Sequence, residues 1–346
     1  MRILVTGGTG FVGSHIVDLL LAGGHEVIVL DSLVAHGHRP PPWLQPNAEL
    51  VRGDVRDPDA WRAAARGLDA VCHQAARVGL GVDFGDVRRY VDDNDSGTAA
   101  GLWALHDTGF RGRLVLASSM VVYGEGRYRC HRHGDVRPAA RTAEDLAAAR
   151  FDPACPTCGH PVTWAPVDED APTDPRNVYA ATKLHQEHLC AAFGREHGVA
   201  VTALRYHNVY GPRMPKDTPY AGVAAIFRSA IERGEPPRVF EDGAQTRDFV
   251  HVSDVARANV AALSAEVPVV GPLNVASGVP RTVLDLARAT CAGTGLEPVV
   301  VGGGRLGDVR HIVASPGRAA ERLAFRATVD AFDVAGATAT PGAAAR

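Results

Sequence analysis

The chain has 346 residues, 46% hydrophobic and 22% charged, a length that suits one large α/β unit or two lobes. A formal net charge of -3 excludes a global basic field of the kind that binds nucleic acid or acidic membranes. No apolar run approaches the roughly 18 residues that span a bilayer.

Arg2-Ile3-Leu4-Val5 predicts a strand. The start, Met1 to Thr6, lacks the charged region, apolar core and cleavage site of a signal peptide, so a cytoplasmic location is expected. The six cysteines are then expected as thiols or metal ligands rather than disulfides. Phe11, Val12, Ile16, Leu19 and Leu20 recur at helical spacing up to Gly23-Gly24, which can end a helix. Val27 to Leu30 predicts the next strand, closed by Asp31, and Leu50-Val51, Ala70-Val71-Cys72 and Leu114-Val115-Leu116 continue the series. Continuous apolar runs, rather than alternation, mean strands covered on both faces, hence a doubly wound parallel sheet between helix layers. Residues 1–200 form this first domain. Val201 to Leu204 is one more strand, after which the pattern becomes irregular. Residues 201–332 read as a smaller C-terminal α/β lobe that closes over the carboxyl edge of the sheet, with some strands returning to it. Residues 124–177, with clustered Arg, Pro, Cys and His, read as an insertion. Residues 333–346, rich in Ala, Thr, Pro and Gly, read as a disordered tail.

The first strand leads into Thr6-Gly7-Gly8-Thr9-Gly10-Phe11-Val12-Gly13. Gly7, Gly10 and Gly13 lie between a strand and a helix, where the backbone must approach a pyrophosphate closely. The helix start at Phe11 and Val12 offers unpaired N–H groups and a partial positive charge. Asp31, at the end of the second strand, can accept hydrogen bonds from both adenosine ribose hydroxyls. A 2′-phosphate there would meet like charge, so NAD is favoured over NADP.

Tyr179-Ala180-Ala181-Thr182-Lys183 places a phenol and an ammonium on one helix face at i and i+4. A neighbouring cation favours phenolate and is expected to lower the Tyr179 pKa from about 10. Such a base can take a proton from a secondary alcohol while hydride leaves for NAD.

The GxxGxxG spacing, together with YxxxK, resembles the short-chain dehydrogenase/reductase superfamily, and implies a Rossmann-type fold. Asp54-Val55 resembles its adenine-contacting pair, and His73-Gln74-Ala75-Ala76 its HxAA turn, which implies that Ala75 and Ala76 flank the nicotinamide. Ser119-Met120-Val121-Val122-Tyr123-Gly124 resembles the serine strand of the extended subfamily. The match implies that Ser119 hydrogen-bonds the reacting hydroxyl, with Ser118 as the neighbouring alternative. Asn94 is implied in the cofactor-side network; a buried or capping Asn is the alternative.

The resemblance extends along most of the chain. The run from Leu204 to Arg213 is similar to the LRYFNVYGPR segment of the NAD-dependent epimerase/dehydratase family, with His207 in place of Phe. Asp242 to Val252, Asn274 to Gly278, and Arg305 to Asp308 resemble its further elements. The family pattern implies that Tyr206 borders the cofactor and that Asn208, Arg247, Arg305 and Asp308 clasp a nucleotide diphosphate and its ribose. Guanidinium forks suit phosphate oxygens and stay charged.

Absent groups narrow the reaction. Dehydratases of this family carry an Asp-Glu pair after the serine strand, where this chain has Met120 and Val121. Related decarboxylases have Glu where this chain has Val122. The expectation is therefore a 4-epimerase acting on a dTDP- or UDP-hexose through a transient 4-keto sugar, with Tyr179 as base and NAD remaining bound. Ser118-Ser119-Met120, Tyr123 to Cys130, Asp217 to Val223 and Gly307 to His311 resemble the dTDP-L-rhamnose 4-epimerase-like branch. A 4-ketoreductase or dehydrogenase with net hydride exchange is the alternative enzyme, and a non-catalytic NAD-binding scaffold the alternative class. A homodimer is implied by the family.

The insertion holds Cys130-His131-Arg132-His133 and Cys155-Pro156-Thr157-Cys158-Gly159-His160. Cys130, His133, Cys155 and Cys158 fit a closed tetrahedral structural zinc site. His131 could replace His133, and His160 is a spare.

Overall fold

The computed structural model describes residues 1–79, 84–216 and 222–330. The tail at 333–346 and most of the run Asp217 to Val223 lie outside the described residues. The first half builds β1 (Arg2–Thr6), α1 (Phe11–Ala22), β2 (Glu26–Asp31), β3 (Glu49–Arg52), α2 (Pro58–Ala64) and β4 (Ala70–His73). A long helix follows in three parts: α3 (Val87–Tyr90), a π-helical turn (Val91–Ser96) and α4 (Gly97–Asp107). Then come β5 (Arg113–Ser119), β6 (Arg127–Cys130), β7 (Gly134–Val136), α5 (Ala143–Ala147), β8 (Thr163–Ala165) and α6 (Val178–His197). The remainder is β9 (Ala200–Tyr206), β10 (Asn208–Tyr210), α7 (Val223–Glu232), β11 (Arg238–Phe240), β12 (Thr246–His251) and α8 (Val252–Ser264). It closes with β13 (Gly271–Val275), β14 (Pro280–Thr282), α9 (Val283–Cys291), β15 (Val299–Gly302) and α10 (Gly317–Leu323).

Seven strands form one parallel sheet in the order β13-β9-β5-β4-β1-β2-β3. Successive side chains of a strand point to opposite faces, so an all-apolar strand needs cover on both sides. Ile3, Val5, Val27, Val29 and Val115 pack toward α1 and α8, whereas Leu4, Ile28, Leu30, Leu114 and Leu116 pack toward α2, α4 and α6. This is the expected Rossmann-type arrangement. β13 lies in the same sheet, beside β9.

The smaller lobe carries the three strands β10-β12-β14, the parallel pair β11-β15 and the helices α7 and α9, around Tyr210, Phe227, Val239, Phe249 and Leu286. Asp248 on β12 ties it to the turn after β13, accepting from Ser277 N and Oγ at 2.7 Å each and from Gly278 N at 2.8 Å. The insertion holds its own sheet, β7-β6-β8, and the capped helix α5.

Candidate active site and metal centre

β1 ends against a turn that leaves no room for side chains. Gly7 has φ +66°, and a Cβ there would lie 2.8 Å from Ala75 N. A Cβ on Gly13 would lie 2.2 Å from the Gly7 carbonyl. α1 begins at Gly10 without a side-chain cap and without an acidic residue in its first turn. Its first N–H groups, at Phe11, Val12 and Gly13, therefore stay available to an anion. Asp31 is fixed beside this turn: Oδ2 accepts from Thr9 N (3.1 Å) and Oγ1 (2.6 Å), and Oδ1 from Leu33 N (2.8 Å). The cradle and the carboxylate fit a dinucleotide with a free adenosine ribose.

Asp54 turns its carboxylate to Arg56, at 2.9 and 2.7 Å, and that guanidinium holds it below the usual carboxylate range. Val55 packs on Gly97, and its carbonyl accepts from Trp61 Nε1 at 2.7 Å. The turn after β4 is held by Thr6, whose Oγ1 accepts from Gln74 N and Ala75 N, both at 3.2 Å; Ala76 follows on it. His73 bridges Thr6 (2.7 Å) and Thr98 (3.1 Å), and burial, with the Lys183 charge, pushes its pKa down to about 3. Asn94 lies in the π-helical turn, fully buried. It accepts from Arg77 N at 2.7 Å and donates to Arg77 O at 3.0 Å and to Thr182 Oγ1 at 2.9 Å. It thus joins the β4 turn to α6. Tyr206 OH donates to Asn259 Oδ1 (2.9 Å) and approaches Gln74 Oε1 (3.1 Å) beneath the same turn.

α6 starts at Asn177, whose side chain accepts from Ala180 N at 2.9 Å, and ends at Gly198 with φ +67°. Tyr179 sits half-buried in its first turn, and Lys183, 3% exposed, one turn on. Lys183 Nζ donates to the Ala117 carbonyl of β5 at 2.9 Å. Burial pushes the Tyr179 pKa up to about 12, opposed by the neighbouring Ser119 hydroxyl. Contrary to the expected lowering, Lys183 does not contribute to this shift, because its ammonium is aimed at the Ala117 carbonyl. Lys183 itself is pushed down to about 8 by burial. The two serines diverge as neighbours on a strand do. Ser119 faces Tyr179, whereas Ser118 donates to buried Glu187, which forks with Arg205 at 2.9 and 2.7 Å. The geometry brings Ser119, not Ser118, to the phenol.

On the substrate side, Asn208 has a buried Oδ1 with no hydrogen-bond partner. His207 beside it is buried, with its pKa pushed down to about 3. Arg247 departs from the expected phosphate clasp: its fork donates to the carbonyls of Thr246 (3.0 Å), Arg310 (2.9 Å) and Val309 (2.6 Å), pinning β12 to the chain at 309–310. Arg305 Nε donates to Asp308 Oδ2 at 3.3 Å. Their loop lies against the approach to α6, since a Cβ on Gly307 would sit 3.6 Å from Arg176 O. Sequence reasoning did not single out Glu125, Arg141, Glu241 and Arg310 as charge partners, and they form buried charge pairs beside this loop. Each lies in a different segment, so no local spacing marks them.

In the insertion, one ligand atom each from Cys130, His133, Cys155 and Cys158 lie within 4.8 Å of one another. Cys130 Sγ is 3.6 Å from His133 Nδ1 and 3.7 Å from Cys158 Sγ, and Cys155 Sγ is 3.5 Å from His133 Nδ1. A zinc tetrahedron with Zn–S of about 2.3 Å and Zn–N of about 2.0 Å has S–S edges of about 3.8 Å and S–N edges of about 3.5 Å. The four positions fit such an ion. His131 and His160 face each other instead, with ring centroids 5.4 Å apart.

Comparison with known proteins agrees with this architecture. The model of the "NAD dependent epimerase/dehydratase family" matches residues 3–145 and 155–276. A dTDP-L-rhamnose 4-epimerase of Burkholderia thailandensis is 36% identical over 320 residues, covering 90% of this chain and 86% of that protein. A putative UDP-glucose 4-epimerase of Methanocaldococcus jannaschii is 32% identical, covering 82% and 79%. Among solved structures, the Thermus thermophilus UDP-glucose 4-epimerase in complex with NAD superposes with a TM-score of 0.75 at 31% identity over 95% of both chains. The Thermotoga maritima UDP-glucose 4-epimerase with UDP-glucose gives 0.77 at 30%, over 95% of this chain and 94% of that one.

Proposed function

The chain belongs to the NAD dependent epimerase/dehydratase family, and from this premise we propose that it is a nucleotide-sugar 4-epimerase acting on a dTDP- or UDP-hexose. The observation that carries the reading is the placing of the Ser119 hydroxyl beside Tyr179, with Lys183 one helical turn away and Met120, Val121 and Val122 following Ser119 in the chain. None of those three can move a proton, so one carbinol is the only reacting centre they leave room for.

Tyr179 takes the proton of the C4 hydroxyl, and Ser119 donates to the C4 oxygen. Lys183 holds the end of β5 and supplies positive charge to the site. Bound NAD would supply the hydride acceptor and donor. The backbone N–H groups at Phe11, Val12 and Gly13 would hold its pyrophosphate and Asp31 its ribose, with Ala75, Ala76, Asn94 and Tyr206 around the nicotinamide end. Asp54 and Val55 would border the adenine. Asn208, Arg305 and Asp308 would receive the nucleotide diphosphate of the sugar and its ribose, and Arg247 would hold the wall behind them.

The reading extends to a structural zinc on Cys130, His133, Cys155 and Cys158, which would close the insertion without an open coordination position. It also includes a homodimer and a cytoplasmic location; no helix among the described residues is long and apolar enough to cross a membrane. Incubation of the purified protein with dTDP- and UDP-hexoses, without added cofactor, tests the reading. A C4 epimer is expected. Product that forms only with stoichiometric NAD(H) would instead indicate a ketoreductase.

A further inference from the structure

The insertion meets the smaller lobe through buried charge, and it does so beside the Arg305–Asp308 loop. Arg141, between β7 and α5, has a side chain 6% exposed. Its Nη1 donates to Glu241 Oε1 at 2.7 Å, and its Nη2 to the Asp308 carbonyl at 2.6 Å. A second link runs the other way. Arg310, 1% exposed, donates to Asp152 Oδ1 of the insertion at 2.8 Å, to Glu241 Oε2 at 2.8 Å and to both oxygens of Asp242 at 2.7 and 2.9 Å. Each side thus lends an arginine to the other, and Glu241 receives both.

A cavity of about 150 Å³ opens at this seam, lined by Glu125, Arg141, Leu146, Arg176, Arg305 and Asp308 among others. Two donors at its wall, Arg141 Nε and Arg176 Nε, are buried without a hydrogen-bond partner, although Arg141 Nε lies 3.9 Å from Glu125 Oε1. Leaving a buried donor unpaired is costly, so such donors mark a place that favours a polar guest able to accept a hydrogen bond. A guanidinium keeps its charge at any working pH.

We infer that Arg141 is a positioning residue of the substrate site: it seats the Arg305–Asp308 loop, so that the insertion sets how tightly the nucleotide diphosphate of the substrate is held. The inference rests on the proposal that this loop receives the substrate. Arg141 bonds to Glu241 and to the Asp308 carbonyl rather than to Ser119 or Tyr179, so its effect falls on binding rather than on the proton transfer.

The test is titration calorimetry of dTDP and of UDP into the full chain, paired with steady-state kinetics, for Arg141→Met, Arg141→Lys and the double variant Arg141→Met/Glu241→Gln. The double variant removes both charges of the pair, which avoids a buried unpaired carboxylate if Arg141→Met fails to fold. Arg141→Met, or the double variant in its place, is expected to weaken nucleotide diphosphate binding about tenfold or more. KM should rise in step, with kcat within about twofold. Arg141→Lys should restore part of the loss, because one ammonium cannot reach two acceptors as a fork does. Folded variants that bind dTDP and UDP as the unaltered protein does would overturn the inference and leave the epimerase reading standing. Weakened binding in a protein that turns over no sugar would keep the inference and overturn the epimerase reading. An unaltered protein that binds neither nucleotide would overturn both.

Discussion

Ser119, Tyr179 and Lys183 are set by the main chain, whereas Cys130, His133, Cys155, Cys158 and Arg141 are set by side chains. The first group sits at the end of β5 and on the first turns of α6, and β5 lies between β4 and β9 in register with both. Their positions follow from apolar strands that are buried on two faces. In the second group Cys130 ends β6 and the others lie in the turns and loops around the short strands β6 to β8 and the five-residue α5, joined to the body by Arg141–Glu241 and Arg310–Asp152. Its own apolar cluster is small, with Val122, Tyr123, Val167 and Ile312 at its base. The catalytic group is therefore expected to tolerate loss of individual polar contacts, while the insertion depends on its ligands and charges to have a shape at all.

The largest expected effect separates chemistry from architecture. Tyr179→Phe should lower turnover by about a thousandfold, in the range of general acid–base contributions, with the melting temperature and the bound NAD content little changed. Retained turnover in kinetic assays would move the base elsewhere.

Loss of the insertion's ligands should act on the other side of the contrast. Cys155→Ser/Cys158→Ser, or treatment with a chelator, should remove zinc measured by metal analysis, lower the melting temperature and raise KM about tenfold, with a smaller change in kcat. Unchanged stability and KM in a protein shown to lack metal would mean that the insertion holds its shape unaided.

A third expectation concerns stability within the catalytic group. The Lys183 pKa falls from 10.5 to about 8 on folding because burial disfavours the ammonium. Below pH 8 the folded state carries the whole penalty, and between pH 8 and 10.5 the unfolded state binds more protons, so stability rises with pH through that window. Lys183→Met should therefore be more stable at pH 7, by up to about 3 kcal/mol, and should flatten this rise, while losing activity. Denaturant titrations at the two ends of the window measure it; an unaltered pH dependence would show that the ammonium is not penalised.

The smallest effect distinguishes the two serines. Ser118→Ala should cost about 1 kcal/mol of stability, through the lost hydrogen bond to Glu187, and change turnover by no more than about threefold. Ser119→Ala should lower turnover by about tenfold or more. The reverse ranking would exchange their roles.

The frame of the molecule was legible because its strands are continuous apolar runs and its glycine turn and YxxxK helix are local patterns. Val27 to Leu30 and Leu114 to Leu116 are buried throughout, as two covered faces require. Three kinds of feature were not legible. The π-helical turn that aims Asn94 at Arg77 and Thr182 adds a residue to a helical turn, which apolar spacing does not report. The direction of the Tyr179 shift depends on burial, which outweighs the neighbouring Ser119, and on where Lys183 points, neither of which an i, i+4 spacing contains. The partners of Arg141 lie 100 and 167 positions away, at Glu241 and Asp308.

The most direct measurement of the central claim follows one hydrogen. A dTDP- or UDP-hexose deuterated at C4 is incubated with the enzyme in ordinary water with excess unlabelled NAD added. A 4-epimerase that returns the same hydride from its own bound cofactor predicts full deuterium at C4 in both epimers and none in the added NAD pool. Deuterium lost to solvent or found in released NADH would contradict the account.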